Sequence, residues 1–197
     1  RALRPQGRQP LRWGVVMKPS ELAAFRAALT NEPLAGLLQR QTDAIAPYLS
    51  LDVAKEFNDS SDGIYLRLAG KEMNGPDRWS WGMAPNDVLT AASMVYLATG
   101  DLRYAELARQ LILAICRVKY WTNSLIYRYP EPAEAKSFAP FAEAIYAMDV
   151  ALALDWIADY LTEAEILEVQ NALHGKAVPH IAAYLDAQDS PSAFWRT

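Results

Sequence analysis

Four carboxylates recur among apolar residues late in the chain: Glu143, Asp149, Asp155 and Asp159. Acids that share a cleft can do general acid and base work, one releasing a proton while another receives it. The same spacing also lines the polar edge of an amphipathic helix, which is the commoner use and the reading that Asp149, Asp155 and Asp159 favour. Glu143 is a closer case, because it lies one turn beyond a segment crowded with aromatic rings. Hydrolysis on this chain would call for a pair such as Asp87 and Asp149 within reach of one glycosidic bond.

Two segments lack any helical period and carry most of the exposed chemistry. One runs from Met73 to Gly82 and contains Trp79 and Trp81; the other runs from Tyr120 to Ala135 and contains Trp121, Tyr127 and Tyr129. Flat rings in such loops can stack on sugar faces, while Asn86, Arg128 or Lys136 meets hydroxyls or carboxylates. The candidate substrate-binding set is therefore Trp79, Trp81, Asn86, Trp121, Tyr127, Tyr129, Lys136 and Glu143. The plainer alternative is that the rings cap the ends of a helical core, and Trp121 and Tyr127 lean that way. Trp13 and Trp156 read as structural.

Much else is excluded by what is missing. His174 and His180 are six residues apart, so they do not form the i, i+4 pair of a helical metal site, and they read as surface or satisfied histidines. Cys116 is the single cysteine, so neither an internal disulfide nor a cysteine metal cluster is available, and Ile112, Leu113 and Ile115 around it mark a buried thiol. The sequence holds no glycine-rich phosphate loop, nucleophile elbow or zinc motif, so no cofactor or metal is expected. A net charge of −4 and a pI near 5.2 argue against nucleic acid as the main partner, since phosphate neutralisation needs a basic surface. No run approaches the roughly 20 apolar residues of a membrane-spanning helix. The most hydrophobic stretch, Phe138 to Leu161, is interrupted by the four carboxylates named above. No secretory leader is evident either.

These residues must be positioned by helices. With 52% hydrophobic and 21% charged residues, the chain can bury one sizeable core rather than stay disordered. Residues 1–18 form an irregular lead-in, and residues 19–197 form the helical domain. Ser20 and Glu21 suit the start of a first helix striped by Leu22, Phe25 and Leu29, and Asn31 ends it. A second helix is expected from Pro33 to about Leu49, with Leu34, Leu37, Leu38, Gln41 and Ile45 on one face. Alternation at Ile64, Leu66 and Leu68 predicts at most one short extended segment near residues 63–69.

The clearest unit spans Pro85 to about Lys119. Pro85 opens a helix, Gly100 supplies a left-handed stop and Asp101 caps the return helix, so a tight joint forces an antiparallel pair. Periodicity resumes at Phe141, Ile145, Met148 and Leu152 and continues through Trp156 to Leu161. Thr162 and Glu165 form a capping box for a last helix reaching about Asp186, weakened or kinked by Gly175 and Pro179. The expected fold is thus all-α: three antiparallel helix hairpins of an incomplete α/α toroid, whose loops gather toward one face.

The joint Leu97-Ala98-Thr99-Gly100-Asp101-Leu102-Arg103-Tyr104-Ala105-Glu106-Leu107-Ala108 resembles one that recurs in α/α-toroid enzymes acting on carbohydrates. Pro19 to Arg26 resembles the opening helix, and Ala153 to Glu165 a later joint, of heparinase II/III-like polysaccharide lyases; in the expected order these cover roughly residues 11 to 187. That resemblance implies the N-terminal toroid portion of a secreted or periplasmic lyase that cleaves uronate-containing acidic polysaccharide by β-elimination. It also implies further toroid and β-sandwich portions as partners, with the catalytic Asn/His/Tyr group beyond Thr197 and the 197-residue segment inactive alone. A glycoside hydrolase on the same toroid, and a non-catalytic helical carbohydrate-binding or scaffold domain, are the alternatives.

Overall fold

The computed structural model describes residues 12–60, 63–66, 85–118, 121 and 141–186. Among the described residues the chain is mostly helical, with one two-stranded hairpin. Five helices occupy the first part: α1 Leu22–Ala28, α2 Leu34–Ile45, the single turn α3 Val53–Glu56, α4 Pro85–Thr99 and α5 Leu102–Arg117. Three follow: α6 Phe141–Trp156, α7 Glu163–Lys176 and α8 Val178–Asp186. None of the described helices is long and apolar enough to cross a membrane.

Local chemistry explains most helix ends. Gly100 adopts φ 74°, the left-handed stop that a side chain would resist, and its amide closes on Tyr96 O at 2.7 Å. Asp101 then caps α5 by accepting the Arg103 amide at 3.0 Å. At α7 the Thr162 hydroxyl accepts the Glu165 amide at 3.2 Å while the Glu165 carboxylate accepts the Thr162 amide at 2.9 Å, a complete capping box. The last helical run breaks into α7 and α8 at Ala177, between Gly175 and Pro179, as their types foretell.

Several expectations need correction. Ser20 does not cap the first helix: a 3-10 turn, Pro19–Glu21, precedes α1, and the Glu21 carboxylate accepts the Lys18 amide at 2.8 Å. Pro19, already in the helical φ range, shifts the start upstream. The extended segment is Gly63–Leu66, paired antiparallel with a second strand, Phe57–Ser60, for which no extended segment is expected. Asn58, Asp59 and Ser60 have low strand propensity, so only pairing reveals that strand. The expected helix through Leu161 stops at Trp156, and residues 157–160 turn instead.

Two hydrogen bonds set the register of the central helices. Asn86 bonds to Asp149 and Tyr96 bonds to Asp159, so an advance of ten residues along α4 matches an advance of ten along α6 and the turn that follows it (96 − 86 and 159 − 149). Helices α4 and α6 therefore run parallel. On the outer side, Arg109 bonds to Glu165 and the Lys176 ammonium donates to the Cys116 and Val118 carbonyls, so α5 and α7 are parallel as well. The pair α4/α5 and the pair α6/α7 thus lie side by side in the same sense. Helix α4 is buried on nearly every side because α1, α2, α5 and α6 all pack on it, and its apolar residues run right round the cylinder.

The buried faces differ in part from the predicted stripes. Leu38 and Ile45 of α2 turn to the core, whereas Leu34 and Leu37 stay exposed. On α6 the deep face holds Glu143, Tyr146, Asp149, Val150, Ala153 and Leu154, and Met148 is 57% exposed. Polar partners, Asn86 on α4 for Asp149 and the lead-in amides for Asp155, lie on the side of α6 that turns inward.

Candidate functional site

Parallel α4 and α6 begin at the same end of the molecule, and α5, returning antiparallel to α4, finishes there. Asn86 lies in the first turn of α4, Glu143 in the first turn of α6, and Trp121 just past α5. Three members of the predicted binding set are therefore brought to one end. The other five, Trp79, Trp81, Tyr127, Tyr129 and Lys136, lie outside the described residues. Pro85 and Phe141, where the chain re-enters from residues 67–84 and 122–140, start on this same end.

Asn86 is buried, and its Nδ2 donates to Asp149 Oδ2 at 2.7 Å. This bond opposes, without cancelling, the burial that pushes the Asp149 carboxyl above its usual range, and nearby Asp87 adds to the rise. Thr90 faces the same carboxylate and also lowers it, although among the described residues its hydroxyl finds no aligned partner. A carboxylate held by an amide from a neighbouring helix fixes both side chains, so Asn86 keeps one orientation. Asp87 itself is exposed, so Asp87 and Asp149 occupy different environments, one in solvent and one in the core.

Glu143 is 5% exposed, and among the described residues its Oε2 has no hydrogen-bond partner. Burial pushes its carboxyl above the ordinary glutamate range, against the smaller opposing pull of its own backbone amide. A neutral Glu143 is a hydrogen-bond donor, which a charged one is not.

Trp121, named among the binding candidates but leaning toward core packing, takes the core role. Its ring is 1% exposed, its Nε1 donates to Ile115 O at 2.9 Å, and it tilts against Tyr146 with centroids 6.1 Å apart. It belongs to the core and leaves no free ring face for a sugar.

No protein-family model, curated protein or solved structure matches this chain.

The remaining acids do structural work. Asp155 is fully buried and accepts the backbone amides of Trp13, Gly14 and Val15 at 2.7, 3.1 and 2.9 Å. Asp159 is buried at the other end of α4 from Asn86, where Tyr96 Oη donates to its Oδ2 at 2.6 Å. The polar-edge reading of Asp149, Asp155 and Asp159 therefore gives way: all three are buried and each serves a donor from elsewhere in the chain. Nothing in their spacing names those donors, since Asn86 and Tyr96 each stand 63 residues from the acid they serve. His174 is exposed, and among the described residues no group of three His, Cys, Asp or Glu could hold a metal ion.

Proposed function

We propose that this chain is the N-terminal portion of an α/α toroid from an exported polysaccharide lyase, secreted or periplasmic, and that it binds a uronate-containing acidic glycan at the end where α4 and α6 begin. The observation that carries this reading is the parallel register of α4 and α6, which puts Asn86 and Glu143 on one end together with the covalent exits of both aromatic segments. A side-by-side series of hairpins in one sense is the arrangement that a toroid extends. Exposed Met148 on α6 and Leu167 on α7 add support, as apolar surface of the kind that a further hairpin would cover.

The chemistry at this end suits an anionic sugar better than a hydrolytic water. β-Elimination requires donors that neutralise the uronate carboxylate as the neighbouring proton leaves. In our reading Asn86, oriented by Asp149, and Glu143, biased toward its neutral form by burial, serve as polar contacts that do not repel the glycan. The proton-abstracting group belongs to further toroid and β-sandwich portions of the enzyme.

Incubation with heparin, alginate or ulvan tests this. The expected result is binding, seen by calorimetry and weakened by salt, without the ultraviolet absorbance of an unsaturated product. Strong elimination by these 197 residues alone would overturn the placement of the catalytic group, and failure to bind any of the three would overturn the binding role.

A further inference from the structure

The lead-in is tied down far from α1 in sequence. Three successive amides, from Trp13, Gly14 and Val15, converge on the single carboxylate of Asp155, an anion-binding nest whose anion is a side chain of α6. Gly14 makes the turn at φ 64°, and a Cβ there would sit 3.2 Å from Met17 O. Next to it, Arg12 pairs with Glu163 at 3.3 Å, at the first residue of α7. The segment therefore grips both sides of the α6/α7 joint.

A few residues later the same segment becomes α1, and Arg26 of α1 donates its Nε to Leu97 O at 2.8 Å in the last turn of α4. Tyr96 beside it reaches Asp159 in that same joint. All these contacts lie at the end of α4 opposite Asn86. A fully buried carboxylate stripped of its three amide donors would be left without hydration or partner, so opening here is opposed strongly.

We propose that residues 12–17 form a clip, held by Asp155, that fastens the N-terminal segment to the α6/α7 joint and thereby couples the first helix pair to the third across α4. Coupling makes a specific demand: loosening the clip must loosen α1, whose own contacts are untouched.

Amide hydrogen exchange on the full chain tests it. The Trp13, Gly14 and Val15 amides should exchange at least roughly 100-fold more slowly than in an unstructured peptide, as expected of a sub-global unit. Asp155→Ala should abolish that protection and speed exchange in residues 22–28 as well, with α4 and α5 still protected. Should Asp155→Ala fail to fold, Gly14→Ala decides the question: it keeps the carboxylate, strains the left-handed turn, and should speed exchange in both the clip and α1 by about ten-fold. Peptide-like exchange of the three amides in the unaltered chain, or faster exchange of the clip with α1 unchanged, would overturn the proposal.

Discussion

Tyr96 and Asp159, 63 positions apart in the chain, share a buried hydrogen bond of 2.6 Å that joins α4 to the turn after α6. Burial holds the Asp159 carboxyl above the usual range against the opposing pull of the Tyr96 hydroxyl and of the Asp159 and Tyr160 backbone amides. Tyr96→Phe keeps the ring and removes the hydroxyl that donates to that carboxylate. Loss of a bond to such a group should cost about 2 kcal/mol. Thermal unfolding should then shift down by roughly 6 °C for a chain of this size, with the helical content unchanged. An unshifted midpoint would mean that the bond contributes nothing net.

Glu143 gives a pH-dependent signature. Its native carboxyl titrates above the ordinary value because of burial, so between the unfolded and native pKa the folded state holds more protons. Stability contributed by neutral Glu143 is present below about pH 4.3 and is lost as pH rises through the native value. Glu143→Gln removes that loss. Urea unfolding of both proteins from pH 4 to 8 should show the variant gaining on the parent as pH rises, then levelling off. Asp101, whose carboxyl is lowered chiefly by the Arg103 side chain, acts in the opposite sense but equally in both proteins. A constant difference across the range would refute the assignment.

Two glycines should respond with opposite signs. Gly100→Ala forces a side chain into φ 74° with no close atomic neighbour to blame, so its cost of about 1 kcal/mol is backbone strain alone. Gly175→Ala, inside α7 with open space around the new methyl, should stabilise by roughly 0.5–1 kcal/mol through lower unfolded-chain entropy. Denaturant midpoints of the two variants measure both effects.

Trp121 separates core from cleft. Trp121→Phe loses the bond to Ile115 O and part of the ring volume, and should cost roughly 2 kcal/mol of stability. Glycan affinity measured by calorimetry should stay within about two-fold of the parent, because the buried ring offers no face to a sugar. A ten-fold loss of affinity with normal stability would return Trp121 to the binding set.

The amino-acid types alone carried the local architecture. Gly100, Asp101, Thr162 and Glu165 mark helix ends through short-range geometry, and those ends are found where the residues stand. The buried thiol follows the same logic: Cys116 sits in the core and burial pushes it up to about 12. Which acids would be buried was beyond such reasoning. Periodicity treated Asp149, Asp155 and Asp159 as a polar edge, yet Asn86, three early backbone amides and Tyr96 draw them inward. Likewise Met148, central to an apolar stripe, is exposed, because packing on α4 rotates α6 about its axis. Caps and turns depend on neighbours within a few residues, so one strand of sequence suffices to read them. The partner of a buried charge is chosen only when helices far apart in the chain meet side by side.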